Sequence, residues 1–223
     1  MNTSSFVRRF INNLEIGQLF TTKDVLHFGT RTSVDRTLGK LVSKGRIMRR
    51  AYGVFQNCDD THPAPSPLEV ATAKATSYGK EISIHGDNLL AQLKLAAVKG
   101  NSEEMKFWVD GGASSFRYGN IKIVFKPASA RKIQLVKKGG PALSLVALWH
   151  LGEKNVTRSE ISRTATYNNH ERQQLKQSLN SVPQWLSRFY VKEPDRLHQY
   201  LSVEEYRDQL HCQSQLAFDC QHT

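Results

Sequence analysis

Residues 21–55 read TTKDVLHFGTRTSVDRTLGKLVSKGRIMRRAYGVF, and this stretch decides the fold. Its rhythm changes twice. Thr21 offers an N-cap, Lys23 and Asp24 face water, and Val25 and Leu26 face inward, which predicts a short helix. Gly29 in HFGT is expected to take a left-handed bend between two helices. The next helix, over residues 31–44, buries Val34, Leu38, Leu41 and Val42, with Thr30 or Thr32 as its cap and Gly45 as its stop. RIMRR and GVF then alternate as two short strands around RAYG. Upstream, Phe6, Val7, Phe10, Ile11 and Leu14 recur at three- and four-residue steps and predict a first helix over about residues 4–13.

Helix, short helix, turn, helix and basic hairpin together predict a winged helix-turn-helix, whose last helix enters a DNA major groove while the hairpin lies on the backbone or beside the minor groove. With the apolar positions turned inward, that helix shows Arg31, Thr32, Ser33, Asp35, Arg36 and Lys40. Arg31 and Arg36 suit bidentate bonds to guanine, and Thr32 and Ser33 suit phosphates or base edges. Asp35 either orients an arginine or accepts from a cytosine amine. Lys44, Arg46, Arg49 and Arg50 supply backbone attraction that is blind to sequence, and Tyr52 packs on a sugar edge.

Charge agrees with this placement. The 223 residues carry a net charge of +11. Residues 1–56 hold ten Lys or Arg against three acids, a net of +7, and residues 68–152 hold twelve against six. Residues 57–67 are net −2, and those from 153 on balance nine against nine. Such concentration points to a polyanionic partner, although charge alone fits a solvated face equally. The apolar fraction of 39% is that of a globular chain, and no run reaches the ~18 apolar residues that span a bilayer. The opening MNTSSFVRRFINN lacks the apolar core of a secretory signal, so the cytoplasm is the expected compartment. Cys58, Cys212 and Cys220 form neither a disulfide framework nor a zinc motif, and the His198, His211, Cys212, Cys220 and His222 group lacks finger spacing.

The run FTTKDVLHFGTRTSVDRTLGKLVSKGRIMRRAYGVFQ resembles the N-terminal domain of the AbiEi-like abortive-infection antitoxins, with Phe55 where that family usually has tyrosine. The resemblance continues more weakly through SPLEVATAKA, IHGDNLLAQLKL and FWVDGGASSFRYGNIKIVFKPASARKI, covering about residues 5–150. It implies a transcriptional autorepressor that binds inverted repeats in its own promoter, and two copies on such a repeat, as a dimer or as cooperating monomers, would match its symmetry. It further implies the antitoxin of a type IV toxin–antitoxin pair, opposing a nucleotidyltransferase-like toxin without forming a stable complex with it.

The rest of the chain predicts an α+β architecture: a winged helix-turn-helix over residues 1–56, a proline-rich linker over 57–67, and a mixed domain with C-terminal helices over 68–223. PLEVATAKATSYG reads as a helix opened by Pro67 and stopped by Gly79, EISIHG as a strand and NLLAQLKL as a short helix. KFWVD, SFRYG and NIKIVFK alternate as strands. On their solvent side Arg117, Lys122, Lys126, Arg131 and Lys132 add basic surface, either to touch flanking phosphates or simply to solvate a sheet. PALSLVALWHLG is a core helix, and the segment after it predicts two or three more, with a capping box from Thr157 to Glu160. SVEEYRDQLHCQ reads as a terminal helix.

No nucleophile elbow, zinc-protease motif, P-loop or dinucleotide fingerprint is present. His85, Asp87 and Asp110 can be gathered into a metal-dependent nuclease set, but they lack two-metal spacing, and DGG suits a strand entering a turn. The expectation is a DNA-binding regulator that is not an enzyme and needs no cofactor or metal. The alternatives are a module that binds its toxin directly, or that nuclease.

Overall fold

The computed structural model describes residues 2–58, 62–95, 103–164 and 169–191. It is a mixed α+β protein, with ten α-helices and two sheets among the described residues. Those residues fall into two compact units, one drawn from Met1–His85 and Lys99–Gln134, the other from Gly86–Val98 and Leu135–Thr223. The terminal helix expected at SVEEYRDQLHCQ and the His and Cys residues of the tail lie outside the described residues. Among those described, no helix is long and apolar enough to cross a membrane.

The first unit opens with α1 (Thr3–Asn12), capped by the Asn2 side chain, which accepts from the Ser5 N–H at 3.0 Å. Strand β1 (Leu19–Thr21) leads into α2 (Thr22–Val25) and a 3-10 turn at Leu26–Phe28. Asp24 accepts from the Thr21 N–H at 2.7 Å, so the short helix is closed at its start by its own acid. Helix α3 (Arg31–Ser43) follows, and then strands β2 (Met48–Ala51) and β3 (Val54–Gln56). Val7, Ile11, Phe20, Val25, Val34, Leu38, Leu41, Ile47 and Phe55 form one buried cluster. It is built from the inward stripes of α1 and α3 and the underside of the strands.

Two expectations for this region change. The hairpin belongs to a three-stranded sheet of order β1-β3-β2, in which Leu19, Phe20 and Thr21 pair antiparallel with Gln56, Phe55 and Val54. Gly29 does not take a left-handed bend: its φ is 169°, which is extended backbone. Its small size matters for a different reason. A Cβ there would stand 2.3 Å from Thr3 Oγ1, so the chain between the two helices passes directly under the start of α1. The left-handed residue near α3 is Gly45, at φ +66°, just past its end.

Beyond residue 56 the chain stays attached to this core. Asn57 and Cys58 are buried, and Asn57 Nδ2 donates to Leu14 O at 2.8 Å. Helix α4 (Pro67–Ser77) begins with a capping box, in which Glu69 accepts from the Ser66 N–H at 2.6 Å and Ser66 Oγ from the Glu69 N–H at 3.2 Å. A second sheet combines β4 (Ile82–Ile84), β5 (Glu104–Val109), β6 (Ser114–Tyr118) and β7 (Ile121–Pro127) in the order β4-β5-β7-β6. Strands β5 and β7 are parallel, and the edge strands run antiparallel to their neighbours. One face packs Phe107, Val109, Ile123 and Phe125 against Ala71 and Ala75 of α4.

The second unit is helical. It contains α5 (Gly86–Gln92), the last turn of α6 (Ala130–Lys138), α7 (Pro141–Leu151), α8 (Arg158–Thr164), α9 (Asn169–Leu179) and α10 (Gln184–Val191). Helix α7 is apolar all round and buries Ala142, Leu145, Val146, Ala147 and Leu148. Asp87 of α5 meets His150 of α7 at 2.9 Å. Glu160 accepts from the Thr157 N–H at 2.7 Å, the contact expected for a capping box.

Candidate nucleic-acid interface

Helix α3 is positioned by its apolar stripe. Thr30 caps it, its side chain accepting from the Ser33 N–H at 3.4 Å, and Val34, Thr37, Leu38 and Leu41 are buried. That fixes which residues face water. Thr32, Arg36 and Lys40 stand at four-residue steps along one exposed stripe, and Arg31, Asp35 and Gly39 form the stripe beside it. Ser33 is partly buried.

The second stripe borders a cleft of about 290 Å³ between α3 and the β2–β3 hairpin. Arg31, Asp35, Gly39 and Val42 line one wall, and Arg49, Tyr52, Gly53 and Phe55 the other. Tyr52 is 70% exposed, and the Arg49 guanidinium lies 5.4 Å from its ring centroid. Gly53, at φ +72°, lets the strands join through the tight Tyr52–Gly53 turn. Residues some twenty positions apart in sequence thus meet around one groove of helix-to-hairpin width.

Within the cleft, Arg31 Nε donates to Asp35 Oδ2 at 2.7 Å. The hydrogen bond and charge of Asp35 raise the Arg31 pKa further above its ordinary value, so the guanidinium stays cationic. The pair is open to solvent, with the side chains 53% and 48% exposed, and an exposed i,i+4 pair of this kind holds by only about 0.3–0.5 kcal/mol. Among the described residues no carboxylate pairs with Arg36, Lys40 or Arg49.

Other expected contacts go elsewhere. Arg50 is the extra residue of a β-bulge between Arg49 and Ala51, and its Nε donates to Gln56 Oε1 at 2.7 Å. Gln56 is 2% exposed and in turn donates to Gly17 O at 3.0 Å, so Arg50 is tied into the sheet. Lys44 and Arg46 border a separate cleft of about 250 Å³ at the far end of α3, together with Arg8, Asn12 and Ile11 of the α1 side. Arg8 was not foreseen, since it lies on α1, thirty-six positions before Lys44.

The sheet cations form a second group. Phe116 and Tyr118 of β6 pack against the cluster of Ala51, Val54 and Val70, so strand alternation turns Arg117 to the opposite face. On that face Arg117 pairs in register with Lys122, and Lys122 with Glu104, which it meets at 3.6 Å. Lys126 lies on the same face as Lys122, as does Lys106, which sequence reasoning did not single out. Lys132 differs from the other four expected cations. It lies 4.9 Å from the Trp108 ring centroid and is partly buried, and burial lowers its pKa. Arg131 is exposed on α6.

Of the residues suggestive of a nuclease, Asp110 Oδ1 accepts from the Glu81 N–H at 2.5 Å beside the β5 turn, while Asp87 is engaged with His150. What the α3–hairpin cleft offers chemically is two arginines, one of them paired with Asp35, and an exposed aromatic ring, with the Thr32, Arg36 and Lys40 stripe beside them. That set can hold a polyanion and read polar edges.

A family of unknown function, DUF6088, matches residues 7–175, most of the chain, and the chain belongs to that family. No curated protein matches it.

Proposed function

We propose that this member of DUF6088 is a sequence-specific, double-stranded DNA-binding transcriptional repressor, in which α1, α2, α3 and the β2–β3 hairpin act as a winged helix-turn-helix. The observation that carries this reading is the α3–hairpin cleft, where Arg31 and Asp35 face Arg49 and Tyr52. Beside it runs the exposed Thr32, Arg36 and Lys40 stripe. A helix with that stripe fits a major groove, and a hairpin with an exposed Tyr and an Arg fits the adjoining backbone. Sequence would be read by Arg36 and by Arg31 once it exchanges Asp35 for a base edge, while Lys40 and Arg49 attract phosphate.

The test is titration of a fluorescent duplex from the protein's own upstream region against the wild type and an Arg36→Ala, Lys40→Ala double variant. Loss of an arginine that grips guanine costs about 1–3 kcal/mol and relaxes preference at one position. Binding that is equal in the two proteins would remove α3 from the contact surface and defeat the reading.

The narrower role, autorepression on an inverted repeat as the cytoplasmic antitoxin of a type IV pair with a nucleotidyltransferase-like toxin, is supported by the resemblance of residues 5–150. Its test is co-expression with the product of the adjacent gene. Growth rescue without co-purification is the outcome this role requires, and a stoichiometric complex would replace it with direct sequestration.

A further inference from the structure

Helix α4 carries two stripes, each at a four-residue step. Ala71 and Ala75 pack on the second sheet, while Val70 is buried against Ala51 and Val54 of the hairpin. Lys74, one turn beyond Val70, reaches the hairpin tip, where its Nζ donates to the Tyr52 carbonyl at 2.7 Å. The same ammonium lies 4.9 Å from the Phe116 ring centroid and 5.8 Å from that of Tyr52. Among the described residues no carboxylate pairs with it, and burial lowers its pKa. The turn is also held from the other side, where the Thr22 N–H at the start of α2 donates to the Gly53 carbonyl at 3.0 Å. Both central carbonyls of the turn are therefore engaged by groups outside the hairpin. A hairpin that met DNA as a free arm would need neither bond.

We propose that Lys74 is the positioning residue of the hairpin, fixing the Tyr52–Gly53 turn so that Tyr52 and Arg49 face α3. DNA affinity then depends on Lys74 through Tyr52, and not through a phosphate of its own. The geometry favours this over direct contact, because the ammonium is spent on a carbonyl and two ring faces. Helix α4, which follows the proline-rich segment, becomes part of the recognition surface. One of its stripes rests on the sheet and the other sets the hairpin. This inference rests on the DNA-binding reading for its effect on affinity, and it makes a separate claim about the free protein.

The experiment uses the full chain as wild type, Lys74→Met, Lys74→Arg, Tyr52→Ala and the Lys74→Met, Tyr52→Ala double variant. In the free protein, amide hydrogen exchange over residues 51–54 accelerates several-fold in Lys74→Met while the α3 amides keep their protection. Exchange that stays at the wild-type rate overturns the proposal whatever DNA does. On a duplex, Lys74→Met weakens binding about tenfold through lost preorganisation. The dependence of log K on log salt keeps its slope, Lys74→Arg recovers part of the loss, and the further loss in the Tyr52→Ala background is smaller than in wild type, since only Arg49 is left to position. A slope shallower by about 0.9 would make Lys74 a phosphate contact and overturn the positioning role. Additive losses with Tyr52→Ala would do the same. If Arg36→Ala, Lys40→Ala binds like wild type while the exchange result holds, the DNA reading has failed and the structural claim has not.

Discussion

Gly39 sits inside α3, where glycine is destabilising by roughly 0.5–1 kcal/mol relative to alanine. Nothing in the protein's packing asks for it: apart from the helix's own backbone, no atom lies within 4 Å of where its Cβ would be. The position borders the cleft, so on the proposed reading the missing side chain would leave room for the duplex backbone. Gly39→Ala is expected to raise the thermal midpoint by a few degrees, in keeping with about 0.5–1 kcal/mol, while weakening duplex binding. A variant that gained stability and bound equally well would show that the groove never meets its ligand at that point. Its neighbour Asp35 makes the opposite prediction. Asp35→Asn releases Arg31 and removes one negative charge from the cleft, so affinity for random-sequence duplex rises several-fold at low salt. Stability falls by no more than about 0.5 kcal/mol, because the pair is exposed. Anisotropy titration together with thermal melting reads both. At Gly29 the constraint is steric and internal: alanine there pushes on Thr3 and costs about 1–3 kcal/mol, a loss that Thr3→Ala recovers in part.

At the scale of elements, Arg117 and Lys122 stand directly opposite each other across β6 and β7, a like-charge pair of the kind that costs about 0.2–1 kcal/mol. Arg117→Gln is expected to shift the denaturant midpoint upward at low ionic strength and to lose that advantage in high salt, where screening removes the repulsion. A shift of equal size at both salts would point to packing instead. These elements also show what the sequence could and could not reveal. Helix α3 was legible because its apolar period, its Thr30 cap and its Gly45 stop are all local. The convergence of Arg31, Asp35, Arg49 and Tyr52 followed from placing a helix before a hairpin. Strand β1 was not legible, since three residues carry no alternation and exist as a strand only by pairing with β3 some thirty-five positions later. Helix α6 escaped because ARKIQLVKK spaces its apolar residues at two and three, which suits strand and helix equally. The parallel pairing of β5 with β7 is a matter of topology, and no spacing encodes it. Lys74 belongs with these: its partner Tyr52 lies 22 residues away, across a segment that reads as a linker.

For the whole molecule, the +11 charge includes two groups of cations on different faces of the first unit. Arg31, Arg36, Lys40 and Arg49 lie on the α3–hairpin side, whereas Arg117, Lys122 and Lys126 occupy the sheet face turned away from the hairpin. Between them stand the thickness of the sheet and α4, a separation of about 10 Å for a packed layer. Screening at physiological salt has a length of about 8 Å, so, on the proposed reading, the far cations would contribute little field at the α3–hairpin cleft. If four to six cations on the near side replace counterions, log K falls against log salt with a slope of about −3.6 to −5.4. The Arg117→Gln, Lys122→Gln, Lys126→Gln triple variant is expected to keep that slope within about half a unit, although it removes three of the eleven net charges. Titrations at five salt concentrations between 50 and 300 mM decide the matter. A slope that falls by two or more in the triple variant would mean that the duplex bends around the sheet edge onto its far face, and the interface would have to be redrawn around both groups of cations.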